Sequence, residues 1–247
     1  MRYFIEFSYQ GTAYHGWQNQ PNAKSVQEVL EKALSTLLHE STEVVGAGRT
    51  DSGVHAKQMF AHFNTSKDFD FGDLVFRLNS FLPKDIAVAG IRKVASEAHA
   101  RFDATARTYE YWLVQAKNPF YGDSAHCILR PLDVVAMNKA ASILMEYQDF
   151  ECFSKSNTDV KTFLCDVREA VWKNDGEKLI FTISADRFLR NMVRAIVGTL
   201  LAVGMHKGKP EEIRAIIESK DRGRAGASVP AKGLYLTKVS YPETIFR

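Results

Sequence analysis

The first 94 residues alternate between strand and helix in one order, and that order sets the architecture. Arg2 to Tyr9 reads as a strand. Ser25 with Glu28 three residues on makes a capping box, and Val26, Val29, Leu30, Ala33, Leu34, Leu37 and Leu38 follow at helical spacing. Residues 25 to 39 are therefore expected to form an amphipathic helix. Strands at Glu43 to Val45 and Gln58 to Asn64, a helix around Phe71 to Phe81 and a strand over Ile86 to Val94 complete a β-α-β-β-α-β order. Between the first strand and helix, Gly11 to Gln18 is a Gly-bounded aromatic loop that suits either a lid or packing.

Inside that order lies Gly46-Ala47-Gly48-Arg49-Thr50-Asp51-Ser52-Gly53-Val54-His55-Ala56. Three glycines in eight residues let the backbone take positive φ, so an aspartate between them is held on a tight turn at the edge of a sheet. From there Asp51 can project into a cleft and serve as a working carboxylate. An aspartate in a turn also suits hydrogen bonding to its own backbone, and that reading stays open. A phosphate-cradling loop fits poorly, because no Gly-Lys-Ser/Thr follows and Asp51 stands where a dinucleotide fingerprint needs its third glycine.

The 247 residues, 45% hydrophobic and 25% charged, allow one large or two medium domains. No stretch is long and apolar enough for a membrane span, and Met1 to Tyr9 lacks the apolar core of a signal peptide, so a soluble cytoplasmic protein is expected. Cys127, Cys152 and Cys165 are odd in number and far apart, which argues against a disulfide framework and a zinc site. His55 and His62, seven apart on one strand, point to opposite faces, so no metal is expected. Nor is a cofactor, since no cofactor motif occurs. The net charge of +3 is small, yet residues 186 to 232 carry ten Lys or Arg against five Asp or Glu. Such a segment suits either a phosphate track or a solvated face.

In the second half, alternation over Arg107-Thr108-Tyr109-Glu110-Tyr111-Trp112-Leu113 puts Arg107, Tyr109, Tyr111 and Leu113 on one strand face, for packing or for stacking on a base. A helix over Leu132 to Tyr147, a mixed loop over Phe150 to Phe163, and a hairpin of Val167 to Lys173 and Leu179 to Ala185 around Asn174-Asp175-Gly176 follow. Phe188 to Met205 reads as a helix with one apolar side and with Arg187, Arg190 and Arg194 at i, i+3 and i+7 on the other. A short helix over Pro210 to Ser219, a Gly-rich basic loop from Asp221 to Ala231 and a closing strand ending at Val239-Ser240-Tyr241 complete the chain.

Four of these segments together resemble the tRNA pseudouridine synthase A (TruA) family, in the family's order and over almost the whole chain. Gly-Arg-Thr-Asp-x-Gly-Val-His-Ala is similar to its signature, with Ser52 where Ala is usual. Arg107-Thr108-Tyr109 is similar to the second motif, Phe188-Leu189-Arg190-Asn191-Met192-Val193-Arg194-x-x-Val197-Gly198 to the third, and Pro230-Ala231-Lys232-Gly233-Leu234-Tyr235-Leu236 to the fourth.

The resemblance implies an α+β fold of two pseudo-repeated ferredoxin-like halves, 1 to 104 and 105 to 247, with joined antiparallel sheets flanking a basic catalytic cleft. It implies Asp51 as catalytic aspartate, Arg194 as its partner, Tyr109 as the ring stacked on the target uracil and Leu234 as packing near that base. It further implies that Arg49 occupies the space left by the flipped nucleotide, and that the cations of 186 to 232, Arg187 and Arg190 among them, grip phosphates. The substrate implied is the tRNA anticodon stem-loop at positions 38 to 40, and the assembly a homodimer. Two other classes remain, a non-catalytic RNA-binding module and a small-molecule enzyme using Asp51 as general base.

Overall fold

The computed structural model describes residues 1–156 and 160–246, so part of the expected 150 to 163 loop lies outside the described residues. The fold is α+β with mostly antiparallel sheets. Its chain divides into two compact units, one of Met1–Ala106 with Tyr235–Arg247 and one of Arg107–Leu234.

The first unit holds β1 (Arg2–Tyr9), α1 (Val26–Leu38), β2 (Val44–Gly46), β3 (His55–Asn64), α2 (Phe71–Phe81) and β4 (Ile86–Lys93), the order expected from periodicity. β1 lies between β4 and β3, antiparallel to both, and β2 pairs with the far end of β3. β3 has one residue after another buried, from Met59 to Phe63, because the alternate residues Phe60 and His62 are covered by Tyr241 and His99. Ser25 accepts a hydrogen bond from the Glu28 backbone N–H at 3.1 Å, which satisfies one of the donors left over at a helix start. Leu30, Ala33 and Leu34 of α1 and Leu74 and Leu78 of α2 are almost fully buried, and the two helices pack on one another. β3 begins three residues earlier than the apolar pattern suggested, since His55 and Ala56 pair in parallel with Tyr235 and Leu236.

The second unit holds β5 (Ala106–Val114), the two-residue β6 (His126–Cys127), α3 (Val134–Ile143), β7 (Val167–Asp175), β8 (Lys178–Ala185), α4 (Met192–Gly204) and α5 (Glu212–Ser219). The chain closes with β9 (Leu234–Ser240). Setting aside β6 and α5, the order is again β-α-β-β-α-β. β8 runs antiparallel between β5 and β7, which repeats the β1-β3-β2 arrangement of the first unit. Leu179, Phe181, Ile183 and Ala185 alternate inward along β8. The β7–β8 hairpin turns at Gly176, φ +59°, and β7 runs two residues past Lys173, where the strand was expected to end.

One expected element is corrected. Phe188 to Asn191 do not belong to α4: Asn191 stands in the left-handed region at φ +67°, and the helix starts at Met192. Arg187 and Arg190 therefore precede the helix instead of sharing a face with Arg194. α4 has no basic face either. Met192, Val193, Ala195, Ile196, Val197, Thr199, Leu200, Leu201 and Val203 are buried, and the one half-exposed face, Arg194, Gly198 and Ala202, carries a single cation.

No described helix is long and apolar enough to cross a membrane. Cys152 and Cys165 are core thiols, each pushed up to about 12 by burial, while Cys127 is exposed.

Candidate active site

Asp51 sits on a four-residue turn closed by the Val54 N–H, which donates to the Asp51 carbonyl at 3.1 Å. Gly53 supplies the positive φ of +78° that the third position of a type II turn demands. The aspartate is half-buried, Ser52 is exposed and Val54 is buried, so the turn is rooted at its far end and open before it, and Arg49, two residues upstream, is exposed.

Residues 9 to 17 form the bed of this turn, and the loop is packing. Tyr14 and Trp17 are 2% and 3% exposed. The Trp17 N–H donates to the Thr50 carbonyl at 3.3 Å, and the Tyr9 hydroxyl and Thr50 Oγ1 lie 2.9 Å apart. The Tyr14 carbonyl accepts from Ser52 Oγ at 3.2 Å and from the Gly53 N–H at 3.4 Å. Gly16, at φ +91°, passes so close to the Thr50 carbonyl that a side chain there would collide with it. Behind the turn, His55 Nδ1 accepts from the Gly11 N–H at 3.1 Å and its ring stacks on Tyr235, centroids 4.6 Å apart. His55 is thus a packed, hydrogen-bonded histidine. His62 is likewise buried, and desolvation followed by the Arg2 charge lowers it to about 4.

In the second unit, Tyr109 is half-buried on β5 opposite Ile183, with its ring edge-on to Phe188 at 5.2 Å and 89°. Its face-mate Tyr111 is fully buried and donates to the Pro230 carbonyl at 2.8 Å. Arg107 donates to the Asp186 carbonyl at 2.8 Å. Arg194 is half-buried in the first turn of α4. Its Nε donates to the Val229 carbonyl at 2.7 Å and its carbonyl accepts from the Val229 N–H at 3.2 Å. Burial drives the Tyr111 phenol far above its ordinary range, against the opposing charge of Arg194. One strap, Val229-Pro230, therefore holds both the arginine and the tyrosine.

The strap is fastened to α4 by contacts that the sequence reading missed. A side chain at Gly198 would collide with the Ala227 carbonyl, and one at Gly226 would strike the Gly198 and Thr199 backbone. The Gly226 N–H donates to Thr199 Oγ1 at 2.8 Å, and Asn191 Nδ2 donates to Ser228 Oγ at 2.6 Å. Asn191, left without a role by the motif, is thus both a helix start and an anchor for the loop. Two glycines far apart in sequence were the only available signal.

Leu234 is 6% exposed at the start of β9. The basic segment is less available to phosphates than its composition suggests. Arg214 makes a two-pronged pair with Glu146 at 2.5 and 2.8 Å, and Lys220 pairs with Asp149 at 2.6 Å. Arg222 donates to Ser228 Oγ at 2.9 Å, and Lys232 to the Gly122 carbonyl at 2.6 Å. Arg190, Lys207, Lys209 and Arg224 are exposed, and Arg187 is half-buried beside the thiol of Cys165. Among the described residues no group of three or more His, Cys, Asp or Glu is placed to hold a metal ion.

The structure puts exposed Arg49 two residues before the Asp51 turn in the first unit; in the second it sets Tyr109 against Phe188 and ties Arg194 to the strap. Against known proteins, the family model for tRNA pseudouridine synthase matches residues 6–103 and 140–242. A tRNA pseudouridine synthase A of Bacteroides thetaiotaomicron is 54% identical over 99% of this chain and 92% of its own length. The same-named protein of Porphyromonas gingivalis is 50% identical over 99% of both, and a tRNA pseudouridine synthase A 2 of Clostridium perfringens is 39% identical over 96% of this chain and 98% of its own. With the family model spanning most of the chain and relatives this similar along its full length, the chain belongs to the tRNA pseudouridine synthase family and is an isomerase.

Proposed function

We propose that the chain converts uridine to pseudouridine at positions 38 to 40 of the tRNA anticodon stem-loop, with Asp51 as catalytic carboxylate. The observation that carries this reading is a half-buried aspartate on a turn anchored along its length, inside a family match that covers both units.

Pseudouridine forms when the C1′–N1 bond breaks, the uracil turns and C1′ joins C5. Atoms and oxidation state are conserved, so the chemistry calls for no cofactor. A stacked uracil is out of reach, and flipping it costs about a few kcal/mol, repaid by stacking and polar contacts in the pocket. Tyr109 supplies the stacking ring, and its edge contact with Phe188 fixes the ring plane. Leu234 packs near the base, and Arg49, exposed on the turn of Asp51, takes the space the nucleotide leaves. Asp51 works as an anion, whether it attacks the base or the sugar or assists cleavage. Arg194, always charged and forked, holds it so. Arg187 and Arg190 contact the RNA backbone. The enzyme works as a homodimer in the cytoplasm.

The test is tritium release from tRNA labelled at uridine C5, since closing the C1′–C5 bond expels that hydrogen. Wild type releases tritium, and Asp51→Asn releases none while still binding tRNA. Release by Asp51→Asn at the wild-type rate would remove the aspartate from the mechanism. Binding by wild type without any release would leave an RNA-binding module.

A further inference from the structure

Tyr14 is tied at both ends. Its ring is buried and its hydroxyl donates to Asp85 Oδ1 at 2.6 Å, just before β4. The Asp85 carbonyl in turn accepts from the Gln10 N–H at 2.9 Å, so Asp85 grips the loop at two points. At the other end, the Tyr14 carbonyl takes the hydrogen bonds of Ser52 and Gly53, the two residues that follow Asp51. The His15 N–H, which shares a peptide plane with the Tyr14 carbonyl, donates to the Lys24 carbonyl at 2.9 Å, and the Tyr14 N–H donates to the Gly11 carbonyl at 3.0 Å, which leaves that carbonyl little freedom to rotate.

A phenylalanine would fill the same space. Burying a phenol hydroxyl is costly unless a partner meets it, so a tyrosine matched with a carboxylate here adds geometry beyond packing. Burial and Asp85 both push the phenol above its ordinary range, and it remains a donor at any working pH. Ser52 adds a second anchor to the same carbonyl where the family signature has Ala, so this chain grips the turn more firmly through Tyr14 than the signature requires.

We propose that Tyr14, locked by Asp85, is a positioning residue that aims the Asp51 carboxylate through its carbonyl contacts to Ser52 and Gly53. The proposal rests on the reading of Asp51 as the catalytic group. Misplacing a reacting group by a fraction of its reach lowers turnover without touching the rest of the RNA contact surface. The signature is therefore a kcat effect at constant KM.

The experiment compares steady-state tritium release from unmodified tRNA by Tyr14→Phe, Asp85→Ala, the double variant and Asp85→Asn, with Tm measured for each. Tyr14→Phe and Asp85→Ala each lower kcat about tenfold with KM within about twofold. The double variant is no slower than either single one, because both break the same link. Asp85→Asn, whose amide oxygen still accepts, keeps the wild-type kcat. Wild-type kcat in Tyr14→Phe with a lowered Tm would reduce the contact to stability alone, and losses that multiply in the double variant would overturn the link. Asp51→Asn, run alongside, separates the two levels. If it turns over, the reading of Asp51 fails; if it is inactive while Tyr14→Phe is unimpaired, the positioning role alone fails.

Discussion

Gly53, at φ +78°, is the residue on which the shape of the Asp51 turn depends. An alanine there enters the left-handed region at a cost of about 1–2 kcal/mol. Because the N–H of residue 53 is one of the two donors to the Tyr14 carbonyl, the strain falls on the same contact that aims Asp51. Gly53→Ala is expected to lose about 1–2 kcal/mol in urea unfolding and a larger factor in turnover than that loss accounts for. A variant that loses stability and keeps wild-type turnover would show that the turn tolerates the distortion. At this scale the turn that carries Asp51 was legible, because turn chemistry is written in adjacent letters. Arg187 and Arg190 were misplaced because Asn191 fits a helical pattern by its neighbours, while its backbone is left-handed and its side chain is tied to Ser228, thirty-seven positions away.

Among elements, α4 and the loop after α5 behave as one part. Gly198 lies where a helix interior ordinarily tolerates alanine, which would gain about 1 kcal/mol in propensity. Here the sign reverses. A methyl at 198 would collide with the Ala227 carbonyl and lift the strap whose Val229 carbonyl holds Arg194. Gly198→Ala is expected to lower Tm and to cut tritium release, with near-UV circular dichroism reporting the displaced Tyr111 contact. An unchanged Tm would mean that the loop floats free of the helix. Apart from the two-residue β6, which no pattern announced, the strands and α1 to α3 were legible from periodicity, helped in α1 by its capping box. The pairing of Gly198 with Gly226 was not, since close backbone approach leaves no periodic trace.

For the molecule as a whole, the charge census changes what salt dependence should report. Composition treats the ten cations of residues 186 to 232 as equivalent, but Arg214 is neutralised by Glu146 whereas Arg224 stands exposed. If Arg224 meets a phosphate, Arg224→Ala lowers the slope of log Kd against log salt by about one, and Arg214→Ala leaves it unchanged. Titrations of tRNA binding at several salt concentrations check both, and the opposite ranking would place the RNA against α5 instead. The repeated strand-helix order of the two halves was legible only in the first. In the second, β6 and α5 interrupt the series, and the closing strand joins the first unit by a parallel pairing that no local pattern announces.

That pairing also bears on how the protein is made. A ribosome that has released residues 1 to 106 has delivered the Asp51 turn but not Tyr235, against which His55 stacks behind it. Through the synthesis of the entire second unit the nascent first unit waits with the start of β3, beside the Asp51 turn, unpaired with β9. A message cut short anywhere before codon 235 thus yields a first unit lacking the residues that pair with His55 and Ala56.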